Sequence, residues 1–136
     1  MAVATIRYAT REDLPFLSRD IHISRDGMIK KLVDQEVLLC KLEQEYVGWL
    51  RFNYFWDSIP FLNMIYLEER FRRQGFGSLL LDYWEKEMQN GGHKQVITSS
   101  LSNEQGQHFF RKKGYRDIGS LLLPEEPLEI LFSKTF

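Results

Sequence analysis

The chain has 136 residues, of which 43% are hydrophobic and 14% aromatic, and this suffices for one globular domain with a single apolar core. A second independent domain is disfavoured at this length, so we expect one domain over residues 1–136. The formal net charge of -1 provides no overall basic field, which disfavours nucleic acid as a partner.

The first third of the sequence predicts one short strand and two helices. Thr5–Ala9 is the strand, and Thr10 is a suitable N-cap for a helix that extends to about Arg19. Apolar residues at helical spacing predict the second helix over Asp26–Gln35.

The middle of the sequence predicts three antiparallel strands. Glu36–Glu43 and Tyr46–Tyr54 are rich in β-branched, leucine and aromatic residues, and the polar pair Gln44–Glu45 predicts a hairpin turn. A turn around Asp57–Pro60 then leads to a third strand, Phe61–Leu67.

Ser78–Gln89 predicts an amphipathic helix that packs on the sheet. Its apolar side has members at helical spacing, Leu80, Leu81, Trp84 and Met88. Its solvent side is expected to carry Asp82, Glu85 and Lys86. The next strand, Lys94–Ser100, returns to the sheet across this helix and is therefore predicted to run parallel to Phe61–Leu67.

The last part of the sequence predicts one helix and two closing strands. Asn103 is a suitable N-cap for a helix that runs to Lys113 and stops at Gly114. The strands Tyr115–Leu123 and Leu128–Phe136 follow, joined by a turn with two prolines. The predicted fold class is α/β (α+β), with a mixed, mostly antiparallel central sheet of about 6–7 strands and about four helices on its faces.

Other features of the sequence indicate a cytoplasmic protein without membrane association. No secretory leader is visible at Met1–Thr5, and no apolar run approaches the roughly 20 residues that span a bilayer. Cys40 is the only cysteine, which favours a reducing compartment and a buried, structural role for this residue. The three histidines lack the spacing of metal ligands, so we expect no metal site.

The turn Arg72–Gly77, with the sequence RRQGFG, lies between an apolar strand and an amphipathic helix. Its two glycines leave room for a ligand, and the backbone N–H groups of roughly residues 74–78 can converge on one anion at the helix N-terminus. Arg72 and Arg73 add local positive charge. This arrangement predicts a site for a phosphorylated cofactor, and a purely structural turn is the alternative for the hexapeptide alone.

Two other phosphate-binding motifs do not fit this turn. A P-loop needs Lys followed by Ser or Thr directly after its glycine, whereas Phe76 and Ser78 follow the two glycines here. A dinucleotide-binding fingerprint needs a third glycine, which is missing.

Two longer segments carry a more specific pattern. The first is Ile65–Leu81, IYLEERFRRQGFGSLLL, and the second is Ser102–Tyr115, SNEQGQHFFRKKGY. In this order and spacing they resemble the two signature motifs of the GNAT superfamily, the N-acetyltransferases that use acetyl-coenzyme A. The order of the predicted elements fits as well, so the resemblance covers nearly all 136 residues.

The resemblance implies a GNAT fold, in which the parallel strands Phe61–Leu67 and Lys94–Ser100 splay apart and hold acetyl-CoA. Backbone groups of Ile65 and Leu67 would bond the pantetheine arm. The pyrophosphate would be held by the backbone of Arg72, Arg73, Gln74, Gly75, Phe76, Gly77 and Ser78. Near the thioester, the expected contacts are Asn103, Phe109 and Phe110, with a plain helix N-cap as the alternative for Asn103.

The implied reaction is direct attack of a primary amine, on a small molecule or a peptide, on the acetyl thioester. An alkylammonium with a pKa of about 10.4 leaves about one molecule in a thousand neutral at pH 7, so a general base is useful. The candidates are Glu68, Glu69, Asp57 and Tyr66, with a solvated loop carboxylate as the alternative for both glutamates. The backbone N–H of Leu67 is the expected donor to the carbonyl oxygen as it gains negative charge.

One position departs from the family pattern. Many members have a tyrosine four residues before the helix-ending glycine, where it can protonate the leaving thiolate, and this chain has Phe110. Tyr115 or water is the expected substitute, or the thiolate, with a parent pKa of about 8.5, leaves unaided. Two alternatives stay open. The missing tyrosine favours a non-catalytic acyl-CoA-binding sensor or partner module, and the room around Phe109 and Phe110 would decide whether another acyl group is transferred.

No motif identifies the acceptor. Residues near the predicted turn are expected to line its pocket, namely Asn53, Tyr54, Trp56 and Asp57. An acidic residue there would favour a cationic amine. The apolar segment Leu128–Phe132 is expected to pair across a possible homodimer.

Overall fold

The computed structural model describes residues 3–136, so Met1 and Ala2 of the segment considered for a leader lie outside the described residues. The strands of this part of the chain are β1 Ala4–Tyr8, β2 Val37–Leu42, β3 Glu45–Phe55, β4 Ile59–Leu67, β5 Gln95–Leu101, β6 Arg116–Leu121 and β7 Glu129–Thr135. Its α-helices are α1 Leu14–Leu17, α2 Arg25–Val33, α3 Phe76–Asn90 and α4 Gly106–Lys112. Short 3-10 helices occupy Arg11–Asp13 and Glu69–Phe71.

The strands form one seven-stranded sheet with the order β1-β2-β3-β4-β5-β7-β6. β1 pairs with β2, β2 with β3, β5 with β7 and β6 with β7 in antiparallel fashion, whereas β4 and β5 are parallel. The predicted fold class, a mixed and mostly antiparallel sheet with four helices, is confirmed. The parallel pair follows from the crossover through α3, because a chain that leaves and re-enters a sheet across a helix arrives in the same direction.

The chain divides into two compact units. The first contains Met1–Phe52 and Met64–Trp84, and the second contains Asn53–Asn63 and Glu85–Phe136. A single domain over residues 1–136 stays a prediction. None of the helices within residues 3–136 has both the length and the apolar character that a bilayer span needs.

The core of the first unit centres on aromatic residues that bind α1 to the sheet. Its buried members are Ala9, Leu14, Phe16, Leu17, Met28, Leu32, Val37, Leu39 and Trp49. The Phe16 ring stacks on Tyr46 with 4.4 Å between centroids and meets Trp49 edge-on at 5.4 Å. Burial of a side chain of this size contributes about 1.5–3 kcal/mol, so these contacts hold a helix of only four residues in place.

The core of the second unit is built around Phe110. This ring packs against Phe109 at 5.4 Å, Tyr115 at 5.5 Å and Phe132 at 6.1 Å between centroids. These contacts join α4 to β7. Phe110 is therefore a core residue of this unit, with 4% of its surface exposed.

The prediction that Glu85 faces solvent is wrong. Its side chain is buried, with Oε2 accepting from the Tyr115 hydroxyl at 2.8 Å and Oε1 accepting from Lys134 Nζ at 2.9 Å. Helical spacing predicts that Glu85 faces solvent. The pattern of one helix carries no information about its partners Tyr115 and Lys134, which lie far along the chain.

Two predicted helix boundaries are also wrong. The helix expected from Thr10 to Arg19 is a 3-10 turn followed by α1, which ends at Leu17. The turn is stabilised by Asp13, whose carboxylate accepts the Thr10 N–H at 2.8 Å. The helix expected to begin at Ser78 begins at Phe76, so the second half of the glycine turn already belongs to α3.

Asn103 is not the N-cap of α4. The helix begins at Gly106 with Gln105 at the capping position. Residues 102–105 form a turn in which the Gln107 amide donates to the carbonyls of Ser102 and Glu104 at 2.6 Å and 3.0 Å. A later side chain therefore closes the turn, and the helix starts after it.

The prediction that Leu128–Phe132 pairs across a homodimer is wrong, because the backbone of β7 already forms strand hydrogen bonds along both edges. β7 bonds β5 along one edge and β6 along the other. The strands at the edges of the sheet are β1 and β6. Formation of a homodimer stays a prediction.

Candidate functional site

The C-terminal half of β4 presents alternate backbone groups to its two edges. The Glu68 N–H donates to the Val47 carbonyl at 2.8 Å, and the Tyr66 carbonyl lies against Gly48, so these residues face β3. Because successive residues of a strand point their backbone groups to opposite edges, Ile65 and Leu67 direct theirs away from β3.

The parallel ladder with β5 is short. In the described part of the chain it contains two residue pairs, Phe61 with Ile97 and Leu62 with Thr98, and Thr98 Oγ1 adds a bond to the Leu62 carbonyl at 2.9 Å. The ladder therefore ends before Ile65 and Leu67. A short ladder at the start of β4 is what splayed parallel strands require.

Arg72 folds back onto the end of β4. Its Nε donates to the Leu67 carbonyl at 2.9 Å, and its guanidinium lies over the Tyr66 ring, 5.6 Å from the centroid. A carbonyl oxygen has two lone pairs, so the Leu67 carbonyl keeps capacity for a second donor. Arg72 thereby fixes the direction in which the chain leaves the strand.

The basic glycine turn is anchored at both ends and open in its middle. Phe71 is buried and meets the Phe76 ring edge-on at 5.8 Å, while the Gln74 amide donates to the Arg70 carbonyl at 2.8 Å. Gly75 has φ +91°, and a Cβ built there would meet no atom within 4 Å. The middle of the turn is thus free of covering side chains, in a conformation that suits glycine.

Backbone N–H groups accumulate at this turn. The first bond within α3 runs from the Leu79 N–H to the Gly75 carbonyl at 3.1 Å, so the N–H groups of Phe76, Gly77 and Ser78 have no acceptor inside the helix. The positive end of the helix dipole lies at the same place. With the exposed Arg73 beside it, this turn can bind a phosphate group.

The candidate bases at the end of β4 are engaged with neighbours. The Tyr66 ring stacks on Trp49 at 4.4 Å, and its hydroxyl donates to Glu68 Oε2 at 3.3 Å. The other oxygen of Glu68 forms an ion pair with Arg19. Glu68 and Tyr66 therefore act as a connected pair and not as two independent groups.

In the second unit, the candidates named from the second motif have different surroundings. Asn103 is exposed in the turn before α4, and Phe109 is partly buried. Tyr115 is 3% exposed, and its hydroxyl donates to the buried Glu85. A proton on this hydroxyl already has an acceptor, which favours a structural role for Tyr115.

The residues expected around the acceptor lie on the hairpin of β3 and β4. Asn53 accepts from the Asn63 amide at 2.8 Å, and the Tyr54 ring lies 5.6 Å from His93. Trp56 and Asp57 form the turn itself with φ of +53° and +61°. Trp56 is 78% exposed, and its ring lies 4.7 Å from the Phe55 ring, so the hairpin tip presents an exposed aromatic pair. Acceptor binding by this group stays a prediction.

A comparison with protein-family models identifies the family of this chain. Residues 5–115 match the model described as the acetyltransferase (GNAT) family. The chain belongs to the GNAT acetyltransferase family.

Solved structures agree at the level of the fold. The GNAT-family acetyltransferase of Bacillus cereus is 24% identical with a TM-score of 0.81, and the match covers 98% of this chain and 97% of that chain. Ard1 of Thermoplasma volcanium is 15% identical with a TM-score of 0.83 and 97% of each chain covered. PaiA N-acetyltransferase of Thermoplasma acidophilum, solved in complex with coenzyme A, is 16% identical with a TM-score of 0.81, and the match covers 98% of this chain and 99% of that chain. A search of the curated proteins found no match.

Two further expectations from the sequence concern Cys40 and metal binding. Burial raises the pKa of the Cys40 thiol to about 11, so the thiolate is scarce at neutral pH and the residue fills the core. Among residues 3–136, no three His, Cys, Asp or Glu side chains are grouped so that they could hold a metal ion.

Sequence reasoning missed Arg19, which forms an ion pair with a candidate base of this GNAT chain. Arg19 lies just after α1, and its guanidinium also covers the Phe16 ring, 5.3 Å from the centroid. No sequence signal joins it to Glu68, because Arg19 lies outside both signature motifs and meets Glu68 only when α1 packs on β3.

Proposed function

We propose that this chain is an acetyl-CoA-dependent N-acetyltransferase that acts on a primary amine of a small molecule or a peptide. Membership of the GNAT acetyltransferase family supports acetyl transfer in general. Coenzyme A is the ligand of the PaiA structure, which has the same fold. Both facts agree with the phosphate-binding geometry of the turn after β4.

The observation that carries the proposal is the open turn between β4 and α3. Its backbone N–H groups without an acceptor inside the helix suit a pyrophosphate, and no side chain covers Gly75. Directly upstream, Ile65 and Leu67 direct backbone donors and acceptors away from β3, in the manner of a strand edge that can bond an extended amide-containing ligand. The expected order of contacts, pantetheine first and pyrophosphate second, follows the chain direction. Roles for Asn103, Phe109 and Phe110 stay predictions.

Acetyl-CoA supplies an activated acetyl thioester, which a neutral amine attacks with loss of the thiolate. The backbone N–H of Leu67 is the proposed donor to the acetyl oxygen, since a preorganised donor stabilises the charge that develops there. Glu68 with Tyr66 is the proposed group that receives the amine proton, directly or through water. Arg19 and the Tyr66 hydroxyl hold the Glu68 carboxylate in one orientation.

The cofactor half of the proposal is tested by calorimetric titration of coenzyme A. Gly75→Glu puts a carboxylate into the turn, and we expect at least a tenfold loss of affinity because like charges meet. The matched control is Gly92→Glu, since Gly92 also has a positive φ, +92°, and also has no atom within 4 Å of a built Cβ. Absence of binding by the unmodified chain, or equal affinity in both variants, would contradict this assignment.

The catalytic half is tested by release of free coenzyme A thiol from acetyl-CoA with a panel of primary amines. Steady, amine-dependent release is expected. Tight binding without release would favour the non-catalytic alternative, which Phe110 supports because a phenyl ring cannot protonate a leaving thiolate. A longer acyl-CoA in the same assay distinguishes acetyl transfer from transfer of another acyl group.

A further inference from the structure

A cavity of about 370 Å³ lies in the first unit beside the end of β4. Its wall is formed by Phe16, Arg19, Glu45, Tyr46, Glu68 and Arg70. We name it the Arg19–Arg70 cavity. Its volume falls in the range of small-molecule sites, and Glu68 in its wall directly follows the proposed oxyanion donor Leu67.

The charges of the Arg19–Arg70 cavity form two ion pairs. Arg19 pairs with Glu68, and Arg70 Nη2 lies 2.8 Å from Glu45 Oε1. A guanidinium has five N–H donors and a carboxylate has about four acceptor sites, so the two ion pairs, together with the Tyr66 hydroxyl bond to Glu68, leave part of this capacity unused. Both arginines are more than half exposed, at 57% and 64% of their side chains, so a ligand can reach them. The wall therefore offers free cationic donors and free anionic acceptors side by side.

The remaining wall of the cavity is aromatic and not polar. Phe16 and Tyr46 stack with an angle of 10° between their rings. The Tyr46 hydroxyl donates to Asp13 Oδ1 at 3.0 Å, so this group is already used on a neighbouring network. Tyr46 thus contributes mainly its ring to the cavity. Phe16 stacks on this ring and Lys41 Nζ lies 4.8 Å from its centroid, so an apolar skeleton between two charged ends would meet the ring edge.

We propose that the Arg19–Arg70 cavity binds the acceptor, and that this acceptor is a small molecule bearing both a primary amine and a carboxylate. The proposal rests on the proposed acetyl transfer, which would use the bound amine. The ammonium group is recognised by Glu68 and the carboxylate by Arg70, whose planar guanidinium suits bidentate carboxylate binding. The skeleton between them lies against the edges of the Phe16 and Tyr46 rings. An amine without a carboxylate leaves Arg70 without this partner and is bound more weakly.

The binding test needs no turnover. Calorimetric titration of the full chain with an amino acid, its C-terminal amide and its decarboxylated amine should show at least tenfold tighter binding of the amino acid. Phenylalanine, phenylalaninamide and phenethylamine form one such set. Arg70→Gln should reduce the preference to less than about twofold while coenzyme A affinity stays unchanged. Arg111→Gln is the matched control, since Arg111 also forms an exposed ion pair, with Asp117, but belongs to the second unit.

The kinetic test uses the same ligands as acceptors. The amino acid should have the highest kcat/KM, and Arg70→Gln should remove this advantage mainly through KM. The amide is the stringent comparison, because its amine has a lower pKa and is more often neutral at pH 7. An amide or decarboxylated amine that binds and reacts as well as the amino acid overturns the inference, as does an unchanged preference in Arg70→Gln. If no amine is acetylated while the amino acid still binds through Arg70, the proposed function fails and the site stands.

Discussion

Gly48 lies where β3 passes closest to β4. A Cβ at this position would lie 2.0 Å from the Tyr66 carbonyl oxygen and 3.0 Å from the Leu67 Cα, and both are backbone atoms that cannot rotate away. The close approach sets the direction of the backbone groups of Leu67. This glycine therefore supports the candidate site without belonging to either signature motif.

Gly48→Ala should destabilise the protein by about 3 kcal/mol or more, because overpacking against backbone forces the strands apart. Thermal and denaturant unfolding measure this loss. Gly119→Ala is the control on β6, where a built Cβ meets no atom within 4 Å, and it should change stability by less than about 0.5 kcal/mol. Equal stability of the two variants would show that β3 and β4 tolerate the extra carbon.

Asp13 is the buried centre of a hydrogen-bond network in the first unit. The Arg7 guanidinium donates to it through Nη1 at 2.7 Å and Nη2 at 3.0 Å. The Thr10 N–H at 2.8 Å, the Tyr46 hydroxyl at 3.0 Å and the Thr10 hydroxyl at 3.5 Å also donate to it. Burial raises the pKa of the Asp13 carboxyl, but these donors together outweigh it and lower the pKa to about 2.

The lowered pKa predicts a specific pH dependence of stability. The folded-state pKa lies below the ordinary value of 3.8, so the contribution of Asp13 is fully present above that value and is lost as the pH falls toward about 2. Between about pH 5 and about pH 2, the free energy of unfolding should fall by about 2 kcal/mol more in the unmodified chain than in Asp13→Asn. Asp26→Asn, at an exposed position, should retain the steeper dependence. Parallel pH curves for the unmodified chain and Asp13→Asn would refute the network as a source of acid sensitivity.

At the scale of elements, α2 shows how local chemistry places a helix. Ser24 has extended backbone angles, and its hydroxyl accepts the Gly27 N–H at 3.0 Å. Apolar residues at helical spacing predict a helix start at Asp26, whereas the helix begins at Arg25. An N-cap residue satisfies one of the N–H groups that the first turn leaves without an acceptor.

Ser24→Ala should therefore lower the free energy of unfolding by about 1 kcal/mol, within the range of about 0.5–2 kcal/mol seen for lost N-caps. Chemical denaturation followed by circular dichroism measures the change. Ser120→Ala, at an exposed position on β6, supplies the comparison and should be nearly neutral. A loss of the same size at Ser120 would mean that the capping bond is not its cause.

The turn between β4 and α3, on which the proposed function rests, was predictable because the residues that determine it are adjacent in the sequence. RRQGFG between a strand and a helix specifies a glycine at a positive φ and a row of N–H groups at a helix start. Arg72 was predicted as a source of positive charge, and the structure adds that it binds the Leu67 carbonyl. Whether the side chain of an arginine bonds a ligand or a backbone carbonyl depends on the tertiary structure.

At the scale of the whole molecule, the net charge of -1 leaves little long-range attraction for an anionic cofactor. Under the proposed function, the association rate of coenzyme A should therefore change by less than about threefold between low and physiological salt, since no extended basic field exists to be screened. Stopped-flow measurement over a salt series tests this. A tenfold or larger decrease would indicate an extended cationic surface that the net charge conceals.

Much of the fold and the cofactor half of the candidate site could be predicted, because the sequence patterns that indicate them extend over only a few residues. Alternation and helical spacing indicated the strands and helices, and two motifs within Ile65–Leu81 and Ser102–Tyr115 indicated the family. Boundaries were wrong where a side chain closes a turn just before the helix, as at the turn before α4, which Gln107 closes.

The sequence by itself determined the class of sheet, the glycine turn proposed to bind phosphate, and the family, because periodicity, glycine conformation and motif spacing all act over a few residues. Only the tertiary structure decided which charges meet. Glu85 is joined to Lys134 across 49 positions of the chain, and Glu68 is joined to Arg19. Such pairs form after helices and strands have packed, and no local pattern encodes their partners. The proposed acceptor cavity, which is built from them, therefore became visible only in the folded chain.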